Sequence, residues 1–324
     1  MSHPFATLTP DLVLDAVESL GYLSDARVLA LNSYENRVYQ IGIEAAEPII
    51  AKFYRPERWS DAAIREEHTF TRELAEHEVP VVAALELQGE TLFEHAGFRF
   101  SVFPRRGGRA PEPGNLEQLY RLGQLLGRMH SIGATRPFIE RETLSVDSFG
   151  HASMEALLQG GFVPPRLLPA YQSVARDLLA KLDELFGRVR YSAIRLHGDC
   201  HPGNLLHRDN AFHVVDLDDC RMGPAVQDLW MMLAGDRHER LSQLAELIDG
   251  YQEFGDFDPR ELPLIEGLRA LRLLHHSAWI ARRWDDPAFP LAFPWFANER
   301  YWGDQILALR EQIAALDEEP LRLY

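Results

Sequence analysis

Lysine is nearly absent: of 33 basic residues only Lys52 and Lys181 are lysines, so arginine carries almost every positive charge. Cysteine is as scarce. Cys200 and Cys220 stand alone, which excludes a disulfide framework and offers no C-x-x-C pair for a zinc ribbon or a redox dithiol. A reducing compartment, the cytoplasm, is expected. Long apolar runs are missing too. No stretch of about 18 uninterrupted apolar residues occurs, and Met1–Asp11 has neither a basic n-region nor an apolar h-region, so no membrane association is expected. Finally, there is no basic surplus. The net charge of −16 divides into −9 over residues 1–103 and −7 over 104–324, so no phosphate-neutralising face, and hence no nucleic-acid partner, is expected.

What is present is an ordinary globular mixture, 46% hydrophobic and 25% charged in 324 residues, enough for two lobes without a structural metal. Thr9-Pro10-Asp11 predicts a helix start, and the helix runs to Leu20 before Gly21. Segments 27–31, 37–43 and 48–54, rich in Val, Ile and Tyr, predict antiparallel strands. A helix capped by Ser60 follows, with Ile64, Phe70 and Leu74 on one face, until Val79-Pro80 breaks it. Strands at 84–87 and 98–103 complete a small N-terminal lobe, residues 1–103. The segment 104–114, PRRGGRAPEPG, holds three prolines and three glycines and reads as a linker. Residues 115–324 read as a mainly helical lobe, with helices at 116–129, 166–185, 225–233, 239–251 and 261–283. Strand-like runs at 193–196 and 212–217 flank its most polar segment.

That segment, Arg195 to Leu205, sets Asp199 and Asn204 five residues apart in a loop, and Asp216 follows at the end of an apolar strand. Phosphoryl transfer from a nucleotide needs this set. One carboxylate accepts the proton of an attacking hydroxyl, while an amide oxygen and a second carboxylate hold Mg²⁺. Hard oxygen donors favour Mg²⁺ over Zn²⁺, which argues against a zinc site built from His197, His201 and the two cysteines. The pattern H-x-D-x-x-x-x-N followed by D-x-D matches the catalytic and metal-binding segments of kinases. Upstream, Ile50-Ala51-Lys52-Phe53 resembles the strand whose lysine pairs with nucleotide phosphates and a helix glutamate. Glu67 is preferred to Glu66 as that partner because it shares a face with Phe70 and Leu74. The turn from Leu31 to Tyr39 occupies the place of a phosphate-covering loop, with Ser33 able to reach phosphate although no glycine is present.

With these segments in view, the chain resembles the stress response kinase A family, in the aminoglycoside phosphotransferase and choline kinase-like branch of the protein-kinase-like fold. The resemblance rests on LNSYENRVYQ from Leu31, KFYRPERW from Lys52, LHGDCHPGN from Leu196, VDLDD from Val215, GPAVQDLW from Gly223 and RRWDDPAFP from Arg282. It implies an α+β, two-lobed fold and an ATP- and Mg²⁺-dependent Ser/Thr protein kinase that acts in stress. It also implies Asp199 as catalytic base, Asn204 and Asp216 as magnesium ligands, and Ser33 and Lys52 as ATP contacts. Departures from the eukaryotic pattern are shared with small-molecule kinases. Gly198 replaces the arginine of H-R-D, Asp216-Leu217-Asp218 replaces D-F-G, and only 12 residues separate Asp216 from Asp228, leaving no room for a long activation loop.

Asp228 in GPAVQDLW reads most simply as an acid at a helix N-terminus, with orientation of the catalytic loop, by accepting its backbone N–H groups, as the functional alternative. Cys200 and Cys220 each follow a catalytic-region acid and raise a redox switch as a minor reading beside simple packing. Trp279, Trp284, Trp295, Trp302 and Tyr301 read first as core. With Asp285 and Asp286 they would also suit a cationic acceptor, the basis of the alternative, a kinase of an amino-alcohol or aminoglycoside. A catalytically dead nucleotide-binding regulator is disfavoured, since every polar residue the chemistry needs is present. The protein is expected to act as a monomer.

Overall fold

The computed structural model describes residues 3–323. Thr9 accepts from the Leu12 backbone N–H at 3.3 Å and opens α1 (Pro10–Glu18). Then come β1 (Ser24–Ala30), β2 (Arg37–Ile43), β3 (Ile49–Phe53), α2 (Asp61–Glu76), β4 (Phe93–His95) and β5 (Phe98–Pro104). The five strands form one antiparallel sheet in the order β1-β2-β3-β5-β4. Lys52 lies on the central strand, opposite Val38 of β2 and Ser101 of β5. Strand alternation turns Ala51 and Phe53 to the other face, where Ile41, Phe100 and Val102 pack with Val13, Ala16 and Val17 of α1.

The sheet is therefore covered by α1, while α2 is shared. Ile64 packs with Tyr54 and Leu92, whereas Phe70 and Leu74 belong to the large C-terminal core. The strand expected at 84–87 is not formed, and β4 lies further on. Its approach segment is drawn elsewhere: Val82 N–H donates to Val214 O at 3.1 Å and Val214 N–H to Pro80 O at 2.9 Å, so a single bond, Leu85 to Val102, reaches the sheet from that stretch.

Beyond the linker region come α3 (Leu116–Gly133), α4 (Ala152–Gln159), α5 (Leu168–Arg188), β6 (Ile194–Leu196), β7 (Leu205–Arg208), β8 (Ala211–Val214), β9 (Arg221–Gly223), α6 (Arg237–Tyr251), α7 (Leu264–Ala281), α8 (Ala288–Ala292) and α9 (Glu299–Asp317). Two small ladders, β6 with β9 and β7 with β8, hold the polar segment. α3 and α6 pack backbone to backbone: a Cβ on Gly123 would fall 2.0 Å from Leu247 O. The helix expected at 225–233 is instead two short 3₁₀ turns: the Val226 N–H is given to the buried Glu261 carboxylate, and the segment's own Asp228 side chain is turned to the backbone N–H groups of His197 and Gly198. The strand expected to 217 stops at Val214, since Asp216 takes left-handed angles of φ 59° and ψ 64°. Among the described residues no helix is long and apolar enough to cross a membrane.

Candidate active site

Lys52 is buried, and its ammonium lies 2.9 Å from Asp218, 3.2 Å from Asp216 and 4.0 Å from Glu67. Burial works against its charge, but the carboxylates of Asp218, Glu67 and Asp216 outweigh it and hold the amine well above the ordinary lysine range. Glu67 is also buried, and burial raises its pKa against the pull of Lys52 and of Arg141, which bonds it at 3.0 Å. Glu66 is turned away and accepts from the backbone N–H groups of Ile139, Glu140 and Arg141 at 2.7 to 3.0 Å. Asp218, which sequence reasoning did not single out, is nearer to Lys52 than Glu67 is. It is pressed down by Arg58 and Lys52 in spite of its burial. Its signal was the run of acids in VDLDD.

The segment from Arg195 to Leu205 is anchored from below. Asp228 is fully buried, and it accepts from His197 N–H at 2.8 Å and Gly198 N–H at 2.9 Å, with His130 Nε2 at 3.0 Å. Gly198 has φ +83°, and a Cβ there would lie 2.2 Å from Asp219 O, so the position admits only glycine. That closeness explains why no arginine follows the histidine. Asp199 emerges beyond this anchor, a quarter exposed, with His201 at 3.6 Å and Arg272 of α7 bonded to its carboxylate. Asn204 donates its amide to Asp199 O at 3.0 Å, and its backbone O accepts from Val215 N–H, so the segment leading into Asp216 is tied to the loop.

The donated amide leaves Asn204 Oδ1 free, and the Asp216 side chain is 55% exposed. One amide oxygen and one open carboxylate suit a magnesium ion that takes its remaining ligands from water and nucleotide phosphates. Among the described residues no three His, Cys, Asp or Glu side chains converge on an all-protein metal site. Ser33 sits half-buried in the β1–β2 turn, and no hydrogen bond joins its hydroxyl to the other site residues.

A network that the sequence did not reveal joins the β1–β2 turn to α7 and the segment after β3. Glu35, in the β1–β2 turn, meets Arg55 at 3.0 Å, Arg58 at 3.8 Å, Arg283 at 2.5 Å and the Trp279 indole N–H at 2.6 Å. Asp286 corrects an expectation. It is 2% exposed and bonded to Arg37 and Arg55, so it is spent on arginine and unavailable to a cation. The aromatic stretch is mostly core: Trp302 is fully buried, and Trp279 and Trp284 pack against the main cluster. Both cysteines are buried as well. Burial pushes the Cys220 thiol up to about 12 and raises Cys200 too, which leaves neither as the exposed thiolate a redox switch requires.

Glu261 supports the same region from one layer deeper, accepting from Val226 N–H at 2.9 Å, and burial lifts its pKa to about 7. A carboxyl that is raised in the folded state binds a proton there before the unfolded chain does. Its stabilising contribution is full below the unfolded value and is lost as pH rises through 7. Urea unfolding at pH 5 and pH 8 is expected to show wild type losing up to about 3 kcal/mol relative to Glu261→Gln, which keeps an acceptor oxygen but does not titrate. Parallel pH dependence in the two proteins would contradict this.

Residues 27–265 match the model of the phosphotransferase enzyme family, APH. The Serine/threonine protein kinase RdoA of Salmonella typhimurium strain LT2 is 44% identical over 98% of this chain and 97% of its own length. Stress response kinase A of Escherichia coli strain K12 is 45% identical over the same shares. Among solved structures, an amicoumacin kinase in complex with AMP-PNP and Ca²⁺ superposes with a TM-score of 0.74 at 19% identity, covering 97% of this chain and 95% of that one. A microcompartment-associated aminopropanol kinase gives a TM-score of 0.67 at 19% identity, covering 96% and 100%. With the two-lobed arrangement and the lysine, catalytic-loop and acidic segments in place, the chain belongs to the phosphotransferase enzyme family, within the stress response kinase A group, and is an ATP-dependent phosphotransferase.

Proposed function

We propose that this enzyme is a Mg²⁺-dependent serine/threonine protein kinase of the cytoplasm that serves a stress response. Residues 1–103 would hold ATP, with 104–114 as linker and 115–324 carrying the catalytic loop and acceptor site. In this reading the acceptor oxygen attacks the γ-phosphorus, its proton passes to the Asp199 carboxylate, and the bond to ADP breaks. Lys52, fixed by Glu67 and Asp218, binds phosphate as a compact point charge, and Ser33 adds a contact from the turn. Magnesium held by Asn204 and Asp216 would supply neutralisation of the charge developing on the transferring group.

One observation carries the choice of acceptor. An amino-alcohol or aminoglycoside is held by free carboxylates lining the acceptor site, yet Asp286 and Glu35, towards the end of α7 away from the base, are bound by arginines and Asp199 itself touches Arg272, which leaves Asp285 as the exposed carboxylate of that stretch. The name of one relative, Serine/threonine protein kinase RdoA, points the same way. The test is transfer of labelled γ-phosphate from Mg·ATP to a generic protein substrate, to the enzyme itself, and to a panel of amino-alcohols and aminoglycosides. Label stable in Ser or Thr is expected. Label found only in a small cationic alcohol would replace the protein acceptor with that class.

A further inference from the structure

The face of α7 nearest the catalytic loop carries Arg272, His276 and Trp279 at i, i+4 and i+7, and the stripe continues to Arg283 in the turn that follows. It runs from Asp199, which Arg272 touches, to Glu35, which Trp279 and Arg283 hold. His276 stacks on Trp279 with ring centroids 5.7 Å apart. This stripe forms one wall beside the base. Its cationic residue next to the base is unusual for a site that must admit a second substrate, because the Arg272 side chain is 42% exposed while only one of its nitrogens is hydrogen-bonded, to Asp199. A guanidinium carries five N–H donors in a planar fork. The remaining donors face solvent, beside the carboxylate that a reacting hydroxyl must reach.

From this geometry we infer that Arg272 forms an anion subsite, so that the preferred acceptor is a hydroxyl flanked by a carboxylate or phosphate, in a protein an acidic segment around Ser or Thr. An acceptor oxygen within hydrogen-bond reach of Asp199 brings its neighbouring groups within a few ångströms of the guanidinium. An ammonium there meets like charge, whereas a carboxylate or phosphate accepts from the fork through two N–H groups. The arginine pairings of Glu35 and Asp286 add to the effect, since they neutralise two carboxylates at the far end of the wall. The inference rests on the protein-kinase reading for its acceptor, although the subsite itself follows from Arg272 and Asp199.

Both levels are tested by one set of assays on the full chain, comparing wild type, Arg272→Gln and Arg272→Lys. The acceptors are two serine peptides that differ only in Asp/Glu or Lys/Arg flanks, together with glycerate and ethanolamine. Wild type is expected to favour the acidic peptide in kcat/KM by at least about tenfold, chiefly through KM. Arg272→Gln is expected to bring the ratio to near one, and Arg272→Lys to retain part of the preference. If neither peptide is labelled but glycerate is favoured over ethanolamine in an Arg272-dependent way, the protein-kinase reading falls and the anion subsite stands. Preference for the basic peptide or for ethanolamine overturns the subsite. So does an Arg272→Gln enzyme that loses kcat equally on both peptides with its selectivity intact, which would assign Arg272 to the transfer step itself.

Discussion

Asp199→Asn is expected to slow phosphoryl transfer by about 10²–10⁴-fold, the usual contribution of a positioned general base, while leaving Mg·ATP binding close to that of wild type. The substitution keeps the side chain's size and one acceptor oxygen for Arg272, so the loop has no reason to move. It removes the capacity to take up the hydroxyl proton, together with the negative charge that faces Arg272. The groups proposed to hold the nucleotide and its metal are anchored separately. Lys52 is fixed by Asp218, Asp216 and Glu67, and Asn204 is fixed through the Asp199 backbone carbonyl, which the substitution leaves in place. Single-turnover transfer of labelled phosphate, alongside nucleotide binding by calorimetry, separates the two effects. A variant that turns over near the wild-type rate would remove Asp199 from the role of base. A variant that loses nucleotide affinity as steeply as rate would mean that the carboxylate supports the phosphates rather than the acceptor.

The residues proposed to carry the chemistry were open to reading from the sequence because they are local. Asp199, Asn204 and Asp216 fall within 18 residues, and their spacing alone points to nucleotide chemistry. Lys52 was visible for another reason: in a chain that writes arginine almost everywhere, a lysine on an apolar strand stands out. The fold was legible wherever a side chain at the element boundary determined it, as at the caps Thr9 and Ser60. It was illegible where tertiary contacts overrode local preference. The stretch 225–233 has helical periodicity, but its backbone N–H groups and side chains are committed to Glu261 and the catalytic loop. The acceptor wall was hidden for the same reason. Arg272 and Asp199 are 73 residues apart, and Arg37 and Asp286 are 249 apart. Nothing in a single sequence says that Asp286, lying among aromatics and acids, meets two arginines from the other end of the chain.

Asp228→Ala is expected to cost about 3–5 kcal/mol of stability, the range for removing one partner from a buried, hydrogen-bonded charge. Part of that cost has a specific location. With the carboxylate gone, the His197 and Gly198 N–H groups and the His130 ring all lose an acceptor in a place water does not reach. Asp228→Asn separates this loss from simple cavity formation. The amide fills the same space and keeps one acceptor oxygen, but its NH₂ must face a backbone N–H that also needs an acceptor. It is therefore expected to fold with a smaller loss of stability while kcat falls about a hundredfold, since displacing a reacting group by about an ångström has that effect. KM for ATP is expected to change little, because Lys52, Asp216 and Asp218 take no support from Asp228. Chemical denaturation gives the first quantity and steady-state kinetics the others. Because Asp228 acts on the reaction only through the loop it holds, raised KM for ATP with kcat preserved would contradict the positioning role. Wild-type kcat in a folded Asp228→Asn enzyme would show that the His197 and Gly198 bonds shape the loop without setting the base.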